Sequence, residues 1–209
     1  MTLDRATIEK LLAVFVDSPG YLLKSGWLRS MAEKEAVDAW GNPIPWITFP
    51  ALDFLEGRLA PEMTVFEYGS GNSTFWWSAR VNTLVSCEHD KEWYASFTSR
   101  IPANTTYLLR RAKGGSEEYV LEIGKYKNMF DIVVIDGRDR INCVKNGLES
   151  LRSGGVIVWD NSDRREYREG YELLYSRGFK CLDFWGMGAL ATRRWCTSIF
   201  YRTENCLLI

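Results

Sequence analysis

Short polar stretches that close apolar runs hold the residues of this chain best suited to chemistry. The first is Glu67-Tyr68-Gly69-Ser70-Gly71-Asn72-Ser73-Thr74. Gly69 and Gly71 let a backbone turn tightly and approach a ligand, and a helix starting there offers free N–H groups to an anionic group. Thr74 stands where a dinucleotide fingerprint has its third glycine, and Glu67, two residues before the first glycine, would repel a pyrophosphate. A ligand with an ammonium beside a carboxylate suits Glu67 and the glycine amides better. Twenty-one residues after Glu67 comes Cys87-Glu88-His89-Asp90. An acid at the tip of a neighbouring strand can accept hydrogen bonds from both hydroxyls of a ribose, and Glu88 is the residue so placed. Asp90 reads as the N-cap of a helix beginning at Lys91. His89, the single histidine, joins Tyr68, Ser70 and Ser73 as a cofactor-side candidate rather than a general base.

Two further runs end in acids, Asp136 after Ile135 and Asp160-Asn161 after Trp159, 24 residues apart. An Asp at one tip and an Asp-Asn pair at the next form a hard-oxygen cluster suited to Mg²⁺ or Ca²⁺. Asp136, Asp160 and Asn161 are therefore both the candidate catalytic residues and the candidate metal ligands, with Asp136 also a candidate cofactor contact. The plainer reading is that Asp136 holds a polar group of cofactor or substrate, while Asp160-Asn161 opens a turn. Arg138 and Arg140 could pair with an acidic substrate or with Asp163. Asp139 is expected to cap the helix that follows, and Arg164, Arg165 and Arg168, with Glu166 and Glu169, read as a solvated helical face.

These tips need a scaffold. Apolar runs rich in β-branched residues predict strands at Thr64–Tyr68, Thr83–Glu88, Thr105–Leu109, 131–136 and 155–160, with segments of helical length between most of them. IVVI and VIVW lack a period-2 alternation, as strands buried on both faces of a parallel sheet do. The expectation is an α/β, Rossmann-like, doubly wound sheet. After a helix at 164–176, strands at 179–185 and 195–202 joined by GMGALATRR predict a C-terminal hairpin that makes one of seven strands antiparallel. Residues 1–60 form an N-terminal helical extension to the 61–209 core within one domain. The extension carries a helix at 4–16 with Leu11, Leu12, Phe15 and Val16 on one stripe, a Ser18-Pro19-Gly20 break, a second helix before Ala39 and a third at 51–59. Trp40, Trp46 and Phe49, in the loop at 40–50, are candidates for an aromatic lid. Trp76 and Trp77 are adjacent on a helix, so at least one belongs to the core.

Glu-x-Gly-x-Gly opening the first helix, an acid closing the second strand and a seven-strand pattern ending in a hairpin resemble the class I S-adenosylmethionine-dependent methyltransferases over residues 63–202. The resemblance implies that the glycine loop lies against the methionine part of the cofactor and that the second-strand acid holds the ribose. Those roles would fall to Glu67, Gly69, Gly71 and Glu88. The third-strand acid that often contacts adenine in that family has no counterpart in LLRRAKGG. Asp136, Asp160 and Asn161 resemble the metal site of catechol-type O-methyltransferases, whose divalent ion lowers the pKa of an acceptor hydroxyl. The leader GWLRSM…GNPIPWITFPALDFLEGRL and the T-S-I-F-Y-R…N-C-L ending resemble a group of bacterial methyltransferase-like proteins. The implied function is transfer of a methyl group from S-adenosylmethionine to an oxygen of a small molecule, assisted by Mg²⁺ or another divalent cation. A nicotinamide-dependent oxidoreductase and a non-catalytic S-adenosylmethionine-binding protein are the alternatives.

Composition narrows the partners. With 26 basic and 27 acidic residues the net charge is −1, which offers no long-range attraction to nucleic acid or anionic lipid, so a small-molecule acceptor is expected. A homodimer is compatible with these features. Five cysteines without a CxxC pair form neither a zinc framework nor a disulfide scaffold. With no signal peptide or membrane-length apolar stretch, the expected location is the cytoplasm.

Overall fold

The computed structural model describes residues 4–17, 20–111 and 117–209. Its centre is a seven-stranded sheet in the order β3 (Thr105–Leu109), β2 (Thr83–Glu88), β1 (Thr64–Tyr68), β4 (Phe130–Ile135), β5 (Leu151–Asp160), β7 (Trp195–Tyr201) and β6 (Lys180–Gly186). Strands β1 to β5 pair in parallel, whereas β7 runs antiparallel to both β5 and β6. The hairpin thus inserts β7 beside β5 and leaves β6 at the edge. From β1 the chain winds outward to β3, then crosses back to place β4 on the other side of β1. This reversal is the switch point at which the carboxyl ends of two strands open a crevice.

The central strands are buried on both faces, as their unbroken apolar runs require. Val65, Leu84, Ile132, Val134, Val156, Val158 and Ile199 face a layer that includes α4 (Phe49–Glu56) and α5 (Asn72–Ser78). Phe66, Val85, Val133, Ile135, Ile157, Trp159 and Phe200 face Tyr119, Val120, Ile123, Cys143, Val144 and Leu174. Those six residues come from α7 (Glu118–Leu121), the 3-10 turn Glu122–Lys125, α8 (Arg140–Gly147) and α9 (Arg168–Ser176). Both Trp76 and Trp77 are buried in the first of these layers, packed edge to face at 4.8 Å. Each such side chain contributes about 2–3 kcal/mol by leaving water.

Several boundaries differ from the sequence expectation. Strand β4 ends one residue earlier than expected, so Asp136 stands just past the strand while its N–H still donates to Tyr68 O at 3.1 Å. Strand β5 begins at Leu151, because Leu151 already pairs with Phe130 across an irregularity in the register. Arg164 precedes a 3-10 turn at Arg165–Tyr167, and the α-helix proper starts only at Arg168. Helix α4 starts at Phe49, with Pro50 in its first turn. Its N-cap residue Thr48 makes no side-chain cap because the hydroxyl donates instead to Phe184 O at 3.0 Å.

The extension carries α1 (Arg5–Asp17), α2 (Tyr21–Lys24) and α3 (Trp27–Glu33) and ends in α4. Leu11 and Leu12, expected on an apolar stripe, are exposed; the side chains of Phe15 and Val16, and residues Ser18 and Pro19 of the expected break, lie outside the described set. The extension is stitched to the core by polar contacts. Asn72 Nδ2 donates to Ala36 O at 2.8 Å, Trp27 Nε1 to Ala191 O at 2.9 Å, and Phe49 N to Met187 O at 2.7 Å. Among the described residues, no helix is long and apolar enough to cross a membrane.

Candidate active site

The glycine turn fills the gap between β1 and α5. Gly69 has φ +90°, and a Cβ there would lie 3.0 Å from Asp136 O, so both the conformation and the closeness of the β4 tip call for glycine. Thr74, at the third-glycine position, accepts from Gly71 N at 3.2 Å and donates to Glu67 Oε2 at 2.7 Å. Threonine therefore serves as a capping residue that binds the turn to the strand below it.

Glu67 points beneath the turn rather than into the crevice. It is 1% exposed and accepts hydrogen bonds from the hydroxyls of Ser73, Thr74 and Ser86. Burial pushes its carboxyl up from the ordinary 4.5 to about 7; the three hydroxyls pull it down less than burial raises it, and Glu88 adds a small upward push. Ser73 lines the cleft, and its hydroxyl donates to Glu67 beneath it. Tyr68 is a core residue whose hydroxyl donates to Val120 O at 2.7 Å on the opposite sheet face, so its side chain does not line the cleft.

Glu88 occupies the tip of β2 as expected. Its Oε2 accepts from Ser70 N at 3.0 Å and Ser70 Oγ at 2.8 Å, and its Oε1 from His89 N at 2.7 Å and Asp90 N at 2.8 Å. His89 Nδ1 lies 2.8 Å from Glu88 Oε1, and Nε2 accepts from Arg138 Nε at 3.2 Å. Asp90 caps α6 (Lys91–Thr98) through Glu92 N and Trp93 N, both at 2.9 Å. Trp93 Nε1 in turn donates to Ser70 O at 2.8 Å, placing an indole at the cleft mouth. The cleft has a volume of about 370 Å³, with Gly69, Ser73, Glu88, His89, Trp93 and Asp136 in its wall.

At the next two strand tips the acids meet an arginine. Arg140 is buried, and its guanidinium joins Asp136 Oδ1 at 2.9 Å, Gly137 O at 3.0 Å through Nε, and the backbone oxygen of Asp160. Burial raises the Asp136 carboxyl above the usual carboxylate range, with Arg140 opposing and Asp160 reinforcing the shift. Asp160 is 2% exposed; its Oδ1 accepts from Trp195 Nε1 at 2.8 Å and Thr197 Oγ1 at 2.6 Å, and its Oδ2 from Asn161 Nδ2 at 2.7 Å. Asn161 Oδ1 accepts from Arg164 at 2.7 Å.

The trio Asp136, Asp160 and Asn161 does converge, but as acceptors for protein donors. A guanidinium stands where a divalent cation was expected, and both Asp160 oxygens are engaged, so the set does not fit Mg²⁺ or Ca²⁺. Among the described residues no group of three or more His, Cys, Asp or Glu side chains could hold a metal.

A second cavity of about 660 Å³ opens beyond Asp136, which lies on its wall as on that of the first. Trp46, Arg140, Asp160, Arg164 and Trp195 also line it. Of the aromatic lid candidates, Trp46 reaches this cavity; Phe49 is a 2% exposed core residue, and Trp40 lies beside a separate pocket near Arg80. Arg138 meets His89 and Arg140 meets Asp136, so neither makes the anticipated pair with Asp163. Asp139 does not cap α8 with its side chain, which accepts instead from Asn142 Nδ2 at 2.9 Å. Arg164, expected on a solvated helical face, lines the cavity because the helix starts later. Arg193, Arg194 and Trp195 of the hairpin also lie on that wall, and sequence reasoning missed them. Their only signal was the RRW run after a glycine-containing loop. Residues 112–116, which include part of the segment inspected for an adenine contact, lie outside the described set.

No protein-family model matches the chain, and no curated protein does. Solved structures share its fold. A methyltransferase from Geobacter sulfurreducens is 13% identical, with a TM-score of 0.56 over 97% of this chain and 99% of that one. Precorrin-6y C5,15-methyltransferase from Geobacter metallireducens is 14% identical, with a TM-score of 0.57 over 74% and 87%. Spermidine synthase from Thermotoga maritima is 16% identical, with a TM-score of 0.51 over 71% of this chain, which spans 56% of that protein. The class defined is thus the seven-stranded, Rossmann-like α/β fold of these transferase structures, with a crevice at its switch point.

Proposed function

We propose that the protein transfers the methyl group of S-adenosylmethionine to an oxygen of a small-molecule acceptor. One observation carries this reading: Asp136 lies on the wall of both the glycine-turn cleft and the larger cavity, so a donor in one and an acceptor in the other meet at its carboxylate. The glycine turn on the cleft wall supports a cofactor there, since Gly69 and Gly71 hold φ of +90° and +155°, conformations in which the backbone can approach a ligand closely. Its volume falls in the range of small-molecule sites. When bound, S-adenosylmethionine supplies an electrophilic methyl group.

The chain's own residues do the rest. Glu88 accepts hydrogen bonds from ribose hydroxyls, and Ser73, backed by Glu67, meets the polar end of the methionine part. Asp136 takes the hydroxyl proton of the acceptor, its raised proton affinity bringing it closer to the working range of a general base. Arg140 fixes the orientation of Asp136, and the Asp160–Trp195–Thr197 bonds hold the neighbouring strand tip still. Holding donor and acceptor in line then supplies much of the rate enhancement. Calorimetric titration with S-adenosylhomocysteine tests the reading: saturable binding supports it, and its absence refutes it. Once an acceptor is found, Asp136→Asn should lower turnover about 100-fold or more while leaving S-adenosylhomocysteine affinity within about threefold.

A further inference from the structure

The larger cavity is cationic in a protein whose net charge is −1. Four arginines line it: Arg140, Arg164, Arg193 and Arg194. The carboxylate of Asp136 is matched by Arg140, and that of Asp160 is enclosed by Trp195, Thr197 and Asn161. The wall thus carries four guanidinium groups against three acids, and the third acid, Asp163, accepts from Cys196 N at 3.2 Å through its Oδ1. Arg164 is tied to the neutral Asn161 side chain and Arg194 stacks over Trp185 at 5.3 Å. Arg193 makes no hydrogen bond or ion pair among the described residues. Three arginines without a full counter-charge, gathered around one cavity, form an oxyanion-recognising surface, since guanidinium forks match carboxylate and phosphate geometry.

The hairpin loop that carries Arg193 and Arg194 is held by the extension. Trp27 Nε1 bonds Ala191 O, Phe49 N bonds Met187 O, and Thr48 bridges to Gly188. Gly188 permits this closeness, because a Cβ there would lie 2.2 Å from Ile47 O. The extension thus anchors the base of a loop whose far end presents two arginines to the acceptor space, with the Trp46 and Trp195 rings beside them.

We infer that the acceptor carries an oxyanion, a carboxylate or a phosphate, which Arg164, Arg193 and Arg194 hold away from the hydroxyl presented to Asp136. The inference rests on the methyl-transfer reading only in assigning this cavity to the acceptor. Benzoate, phenyl phosphate and the neutral benzamide serve as probes, titrated into the protein and followed by calorimetry, in parallel with S-adenosylhomocysteine. At least one of the two anions should bind saturably, and about tenfold or more tighter than benzamide. Whichever anion binds tighter identifies the oxyanion. In Arg193→Ala/Arg194→Ala that anion should lose about tenfold or more in affinity, with S-adenosylhomocysteine affinity and thermal stability unchanged. Benzamide binding as well as both anions, neither anion binding below about 10 mM, or an unaffected double variant would overturn the inference. Absence of S-adenosylhomocysteine binding by the parent protein, with the anion still bound, would refute the methyl-donor reading and leave the anion site standing.

Discussion

Glu67→Gln isolates the electrostatic cost built into the glycine turn. The Glu67 carboxylate is 1% exposed and faces three hydroxyls but no cation, and burial raises its pKa from 4.5 to about 7. The native state therefore binds this proton more tightly than the unfolded chain does. Raising the pH through the window from 4.5 to 7 withdraws a proton the fold favours, so stability falls across that window and levels off above it. At about 1.4 kcal/mol per tenfold in proton affinity, the loss is on the order of 3 kcal/mol. Glutamine keeps an oxygen acceptor, and the Ser73, Thr74 and Ser86 hydroxyls can reorient to meet its amide N–H groups. Its stability should therefore lack this component. Asp136 and Asp160, also raised by burial, contribute to the pH trend of both proteins, so the quantity to read is the difference between them. Urea unfolding at pH 4.5, 6, 7 and 8, extrapolated linearly to water, should show the variant gaining about 3 kcal/mol on the parent between the two extremes. A difference constant to about 0.5 kcal/mol would refute the argument, because Glu67 would then ionise like an exposed carboxylate.

Other perturbations follow from the same geometry. Gly69→Ala, at φ +90° with Asp136 O 3.0 Å away, should cost about 1–3 kcal/mol in a thermal or urea melt and weaken S-adenosylhomocysteine binding measurably. In Glu88→Gln an amide N–H group meets the amides of Ser70, His89 and Asp90. S-adenosylhomocysteine affinity should fall about tenfold or more by calorimetry, and stability by about 1–3 kcal/mol. Arg140→Met leaves Asp136 without its partner and three backbone oxygens without a donor; with Asp136 30% exposed, a loss of about 2–3 kcal/mol should lower Tm by roughly 5–10 °C.

Strand tips were legible in the sequence because each chemistry-bearing residue closes an apolar run, and the run itself reports a buried strand. Glu88 and Asp136 stand on the cleft wall for that reason. What each side chain does there was less legible. Glu67 and Tyr68 are adjacent on β1, and the alternation of a strand sends them to opposite faces, one beneath the turn and one into the core. Nothing in the spacing shows that three hydroxyls enclose Glu67, since Ser86 arrives from a different strand. The expected metal trio failed similarly. Residue type at 136, 160 and 161 fits hard-cation chemistry, but Arg140, the first residue of α8, folds back between the two tips.

The sequence by itself determined the alternation of strands and helices, the glycine turn after β1 and the acids at the strand ends, because these follow from local periodicity and backbone freedom. Tertiary structure alone decided which acids are spent on protein donors. It also decided which arginines gather at the second cavity. Arg140, Arg164, Arg193 and Arg194 share that wall because β7 inserts beside β5 and the extension holds the hairpin loop. Their charges act through space over distances set by packing, and a sequence records only their separation along the chain.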